Sequence, residues 1–253
     1  MLKAYTSLMF FKVMKLIEGA AARAQGKGYG ATTVQQEVRL LQRLSRARPR
    51  LAVDIGGNVG NYTAVLRKNN PKLEIHIFEP SAVNIRKLRA RFKNDTLIRL
   101  VPLALSDTTG SASLYADEPG SGLGSLTRRR LDHFRIAFTA QETVNTIRFE
   151  DYWRTELRGR PLDLVKLDIE GHELAALKGF GKALQVTRAL QFEFGGCNID
   201  TRTYFQDFWY FFREQRFDLY RITPFGAERI RRYNERDEFF KTTNYIAVHP
   251  GMS

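Results

Sequence analysis

Val53-Asp54-Ile55-Gly56-Gly57-Asn58-Val59-Gly60 runs a short apolar segment into a glycine turn. The segment Leu51–Ile55 reads as a buried strand, and a helix is predicted at about 60–69. Glycines at such a turn let backbone amides come close to a ligand, and the start of a helix favours negative charge. The stretch therefore predicts a strand–turn–helix unit with a binding site at its carboxyl end.

Strands and helices alternate outward from it. Glu74–Glu79, Ile98–Leu105, Asp163–Asp168 and Arg188–Phe194 read as strands, with helices at about 81–93, 173–184 and 201–215. Phe217–Ile222 and Tyr245–Val248 follow with no convincing helix between them, which predicts an antiparallel hairpin at one edge. This pattern gives an α/β fold: a mostly parallel, seven-stranded Rossmann-like sheet covered on both faces. Between the third and fourth strands lies an excursion, residues 107–162. It contains two short strand-like runs, Ser111–Tyr115 and Val144–Ile147, and a glycine-rich loop, Gly120–Gly124. An insertion there overhangs the crevice where open α/β sheets bind ligands, so it is a candidate substrate cap.

Two ligands suit the turn, a dinucleotide and S-adenosylmethionine. Glu79 falls 19 residues after Gly60, near the spacing of a ribose-binding carboxylate. The spacing is Asp-x-Gly-x-x-x-Gly rather than Gly-x-Gly-x-x-Gly, so a pyrophosphate cradle is not evident. Asp54, through water or amides, can meet the cationic amino-acid half of S-adenosylmethionine. The edge hairpin also favours S-adenosylmethionine over NAD.

Six motifs occur in order: Asp54–Gly60; Phe78-Glu79-Pro80; Ala104-Leu105-Ser106-Asp107; Gly124-Ser125-Leu126; Leu164-Val165-Lys166-Leu167-Asp168-Ile169-Glu170-Gly171-His172-Glu173; and Gln191-Phe192-Glu193-Phe194. With them the chain resembles the FkbM family of methyltransferases, from about residue 51 to 249. The resemblance implies a class I S-adenosylmethionine-dependent enzyme, chiefly an O-methyltransferase of sugars, glycolipids or polyketides. It implies that Asp54, Gly56, Asn58 and Gly60 line the methionine half of the cofactor. Glu79 would then hold the ribose, with Ser106 and Asp107 toward the adenine.

Methyl transfer from a sulfonium needs alignment of donor and acceptor and help with loss of the acceptor proton. Asp168 ends a central strand beside the glycine turn, and Glu170 and His172 alternate with it across a turn at Gly171. The expected roles are Asp168 near the sulfonium and acceptor, with His172 or Glu170 as base. Glu173 fits a first-turn carboxylate facing the helix dipole. No metal site is assigned, because Asp168, Glu170, His172 and Glu193 sit on different strand ends. Arg128-Arg129-Arg130 could grip an anionic group on the acceptor or simply be solvated. Most aromatic residues between Phe205 and Phe212 are expected in the core.

Composition sets the limits. The chain has 253 residues, 43% of them hydrophobic and 26% charged, which excludes wholesale disorder. The lone cysteine, Cys197, cannot close an internal disulfide, and a cytoplasmic location is expected. Residues 1–50 form a basic helical extension, with ten Lys/Arg against Glu18 and Glu37 in a chain of net charge +13. Helices are predicted over 2–17 and about 33–46, joined by a linker from Gly19 to Gly30. The first helix, with Leu2, Met9, Val13 and Leu16 on one side and Lys3, Lys12 and Lys15 on the other, suits peripheral contact with an anionic membrane or packing on protein. The domain proper is expected over residues 51–253. A nucleic-acid methyltransferase is disfavoured, since Asp168-Ile169-Glu170-Gly171 stands where amino-methylating DNA enzymes usually carry a proline-rich turn. A non-catalytic, membrane-associated binding protein on the same fold is the remaining alternative.

Overall fold

The computed structural model describes residues 2–30, 33–46 and 48–252, with side chains from residue 9 onward. Two helices, α1 (Leu2–Ala24) and α2 (Val34–Leu44), precede the sheet. Then come β1 (Leu51–Ile55), α3 (Asn61–Asn69), β2 (Glu74–Phe78), α4 (Ala82–Arg91), β3 (Ile98–Val101), β4 (Ala104–Leu105), β5 (Gly110–Ala116) and β6 (Ala140–Ile147). The chain continues through α5 (Phe149–Thr155), β7 (Leu162–Leu167), α6 (Glu173–Gly179), β8 (Thr187–Phe194), α7 (Cys197–Thr201) and α8 (Phe205–Glu214). It closes with β9 (Asp218–Thr223), β10 (Gly226–Ile230) and β11 (Thr243–Val248).

The main sheet has the order β10-β9-β11-β8-β7-β1-β2-β3. Strands β3, β2, β1, β7 and β8 are parallel, while β11, β9 and β10 pair antiparallel. This is the class I methyltransferase architecture, with one strand more than the seven expected. Strands β9 and β11 are antiparallel neighbours, as the sequence suggests. The terminal hairpin, however, is β9–β10, and β11 inserts between β8 and β9. Strand β10, Gly-Ala-Glu-Arg-Ile, is short and half polar, as suits an exposed edge, and so carries little strand signal.

Side-chain alternation sends each central strand into two cores. Leu51, Val53 and Ile55 pack with Phe149, Leu177 and Phe208 from α5, α6 and α8. Ala52 and Leu164 pack with Leu41, Tyr62 and Leu88 from α2, α3 and α4. Phe205, Phe208 and Phe212 are fully buried, so α8 serves the core, as the sequence leads one to expect.

The predicted strand Ile98–Leu105 is broken. Pro102 has no N–H to give a ladder and separates β3 from β4, and β4 joins a second sheet, β4-β6-β5, built from the excursion. The predicted linker also shortens. Helix α1 runs on to Ala24 because Gly19 is followed by Ala20, Ala21 and Ala22, the strongest helix formers. The side chains of Leu2, Lys3, Tyr5, Ser7 and Leu8 lie outside the described residues. Helix α2 is no appendage: Val38 and Leu41 are wholly buried, so the packed unit begins before residue 51.

Candidate active site

A polar row crosses the centre of the sheet on the face covered by α2 and α3. Asp54 of β1 is the register partner of Lys166 of β7, which in turn pairs with Gln191 of β8. Asp54 is fully buried and accepts a hydrogen bond from Thr63 Oγ1 at 2.6 Å. Lys166 Nζ lies 3.7 Å from Asp54 Oδ1, 3.2 Å from Asp168 Oδ2, and donates to the Gly56 carbonyl at 3.2 Å. Burial opposes the lysine's charge, but the Asp168 and Asp54 carboxylates outweigh it and hold the pKa above the usual lysine value. Gln191 donates to Glu37 of α2 at 2.7 Å and accepts from the Tyr62 hydroxyl at 2.7 Å.

The glycine turn brings β1 against the end of β7. At Gly56, φ is +76° and a Cβ would lie 1.8 Å from the Asp168 carbonyl oxygen, so only glycine fits. Asn58 is also left-handed, at φ +47°. Its N–H donates to Glu79 Oε2 at 2.8 Å, and Ser81 N–H donates to Oε1 at 2.9 Å. Burial raises the Glu79 pKa against these two amide bonds. A cavity opens over this carboxylate between Phe78, Asn84, Leu105, Leu114 and the loop at Gly120. The buried Ser81 Oγ and Asn84 Oδ1 on its wall have no hydrogen-bond partner among the described residues. An apolar cleft with a two-oxygen acceptor and unfilled polar atoms fits an adenosine, whose ribose hydroxyls would find an acceptor in Glu79. Residues from the excursion therefore close over the Glu79 side of the crevice.

The loop after β7 is held from within. Glu173 Oε1 accepts from the Ile169 and Gly171 amides, at 2.9 and 3.2 Å, and burial pushes its pKa up to about 7. Glu173 thus braces the loop from the first turn of α6. Glu170 adopts φ +54° and pairs with Arg129, which also faces Asp200 at 3.6 Å. Burial, then the Asp168 charge, push the Glu170 pKa up to about 8 against the pull of Arg129. His172 Nε2 is 3.0 Å from Ser106 Oγ, which also bonds Asp107 at 3.1 Å. Burial lowers the His172 pKa.

Gly56, Asn58, Gly122, Asp168 and Glu170 line the Glu79 cavity and also a second, more polar one. The second holds Glu37, Asn61, Tyr62, Lys166, Glu193 and Asn244. Through Glu193 and Thr242 it meets a third cleft, lined by Gly28, Arg130, His133, Phe134 and Lys241. Burial, then the Asp168 charge, push the Glu193 pKa well above the usual carboxylate value.

The predicted residues do not all share one wall. Gly56, Asn58, Glu79, Asp168, Glu170 and His172 line the Glu79 cavity. Asp54 lies beneath the turn rather than on a wall, and Gly60, at φ +82°, packs against Phe92. Ser106 is buried and Asp107 exposed; neither is on the wall, and Ser106 instead tethers His172. His172 is absent from the second cavity's lining, which separates it from the polar end where Asp168 and Glu170 also sit. Among the described residues no group of three or more His, Cys, Asp or Glu is arranged to hold a metal ion. Lys166 stands inside the Leu164–Glu173 motif with no role assigned to it there, and Glu37 lies outside every motif. The available signal is a lysine set between Leu164-Val165 and Leu167 near the end of a buried strand, two residues before Asp168 and hence on its face.

A family model described as the methyltransferase FkbM domain matches residues 54–219. The 2-O-methyltransferase NoeI of Sinorhizobium fredii is 26% identical over 152 residues, covering 56% of this chain and 62% of that protein. Methyltransferase 1 of Beauveria bassiana is 25% identical over 145 residues, 50% of this chain and 57% of that protein. The chain thus spans about three fifths of the length of these curated relatives. Among solved structures, a methyltransferase FkbM from Methylobacillus flagellatus KT matches with TM-score 0.48 and 16% identity, over 83% of this chain and 47% of that one. SMU.1697c of Streptococcus mutans, in complex with SAH, matches with TM-score 0.47 and 12% identity, over 83% and 96%. With the family model covering well over half its length, the chain belongs to the FkbM family of S-adenosylmethionine-dependent methyltransferases.

Proposed function

We propose that the protein methylates a hydroxyl of a sugar, glycan or glycolipid. The supporting observation is the polar cavity that meets the Glu79 cavity at Asp168. Its lining of carboxyl, amide, phenol and ammonium groups suits a hydroxylated acceptor better than an apolar one. The relative named as a 2-O-methyltransferase supports oxygen as the atom methylated.

Bound S-adenosylmethionine supplies an electrophilic methyl group on a positively charged sulfur. Glu79 would hold the ribose hydroxyls, and the bare backbone at Gly56 would admit the cofactor beside Asp168. Lys166 fixes the Asp168 carboxylate from below at 3.2 Å. Asp168, the more open carboxylate, would accept the acceptor's hydroxyl proton as the oxygen–carbon bond forms and the sulfur–methyl bond breaks, the sulfur leaving as a neutral thioether. Glu170, paired with Arg129, shapes the same junction. A hydroxyl need not be fully deprotonated before attack, so proton acceptance late in the displacement suffices.

An intracellular place of action belongs to the same proposal; the lone cysteine, Cys197, is buried, and no internal disulfide is needed to hold the fold. No described helix is long and apolar enough to cross a membrane.

The test is transfer of radiolabelled methyl from S-adenosylmethionine to cell-surface and lipid-linked glycans, with RNA and DNA in parallel. Mass spectrometry then locates the added CH₂. Label on a sugar oxygen is expected. Label on nucleic acid alone, or tight cofactor binding with no transfer to any glycan, overturns the reading.

A further inference from the structure

Helix α1 exposes Met9, Phe10, Phe11, Val13, Met14, Leu16 and Ile17, with Met9 at 67% and Leu16 at 73% of full exposure. This is a large apolar surface for one helix, and such patches mark binding sites. At about 100° per residue, six of the seven share one arc, and Phe11 lies outside it. Ala22, the buried residue among the described side chains of α1, falls almost opposite that arc. The apolar side therefore points away from the catalytic body, and packing on this chain's own domain is ruled out for residues 9–17.

The root of the helix is fixed. Gly26 fits against the Ile222 carbonyl, where a Cβ would come within 2.3 Å. The Gly28 N–H donates to Thr243 Oγ1 at 3.0 Å. Lys12 and Arg23 flank the arc and Lys15 lies behind it. Glu18 is the only acidic residue of α1, which also carries Lys3 in its sequence. Past the root, Gly28 lines the third cleft together with the exposed Phe134, Ile199, Arg130 and Lys241.

We propose that α1 lies in the interface of an anionic lipid bilayer, with its apolar arc among the acyl chains and its lysines and arginine at the headgroups. Charge decides the occupant. A second copy of the helix would also cover the arc, but it would gather Lys12, Lys15 and Arg23 of both copies with only Glu18 to offset them. An anionic surface pairs with every one of these cations. Long lysine side chains reach headgroups even from the flank and back of a helix. Docking this way sets the third cleft beside the bilayer.

Co-sedimentation of the full chain tests this without donor or acceptor, so its failure is separate from failure of the proposed reaction. The probes are vesicles of phosphatidylcholine alone and of phosphatidylcholine with phosphatidylserine. Binding is expected to the anionic vesicles, to fall with salt, and to weaken roughly tenfold or more in K12Q/K15Q. V13E/I17E should abolish binding while keeping the wild-type melting temperature and cofactor affinity, because both side chains are free of the body. No binding by the intact chain overturns the proposal. So does binding that V13E/I17E leaves unchanged, or light scattering that finds a dimer which V13E/I17E splits.

Discussion

Lys166 holds its ammonium 3.2 Å from Asp168, and the same nitrogen reaches toward the fully buried Asp54 at 3.7 Å. One cation thus joins the carboxylate under the glycine turn to the carboxylate at the junction of the two cavities. Removing it leaves Asp54 as a buried charge whose remaining hydrogen bond comes from Thr63. K166M is expected to cost about 3–5 kcal/mol of stability, the scale for breaking a buried pair. Urea denaturation checks this. A loss below about 1 kcal/mol would mean that Asp54 takes up a proton or water at little cost.

The strand–glycine–helix unit, the parallel sheet and the Glu79 and Asp168 positions were legible because each has a local signature. The glycine turn has one solution at φ +76°, and a carboxylate at the end of a buried strand has one direction to face. The polar row was not legible. Asp54, Lys166 and Gln191 meet across strands far apart in sequence, and Glu37 arrives from a helix that reads as part of an extension. For His172 or Glu170 as base, spacing does not fix which faces the acceptor: the chain turns at Gly171, and the His172 ring sits against Ser106 Oγ while still lining the Glu79 cavity. Which face a loop residue takes depends on tertiary partners, and spacing does not carry them.

Glu79 has two jobs, since it accepts the Asn58 and Ser81 amides and faces the cavity. E79Q keeps the shape and loses the charge. Calorimetry is expected to find S-adenosylmethionine bound about 1.5–3 kcal/mol more weakly, the range for hydrogen bonds to a charged group. E79A should lose at least as much, because the turn at Asn58 also loses its anchor. Unchanged affinity in a folded E79Q would remove the ribose assignment.

D168N preserves volume and takes away the acceptor for the proton. Turnover is expected to fall on the order of 10²-fold or more, with a smaller change in cofactor affinity. The comparison is a single-turnover rate against a binding isotherm on the same protein. Equal losses in both would make Asp168 a cofactor ligand only, and a wild-type rate would pass the proton to Glu170.

The pH dependence of stability reports on Glu170. Its pKa in the folded protein is about 8, raised from 4.5 by burial first and then by Asp168. The folded state therefore binds a proton that the unfolded chain has released at neutral pH. That contribution is fully present below the unfolded value and is lost as pH rises through about 8. E170Q cannot ionise, so between these limits the variant should gain stability relative to wild type as pH increases. Melting temperatures measured in parallel across the range give the difference directly. Because Glu173 and Glu193 titrate upward for related reasons, both proteins should still lose stability toward alkaline pH, wild type more steeply. Parallel curves would show that Arg129 keeps Glu170 ionised in the fold, and Glu170 would then act at the junction as a fixed negative charge.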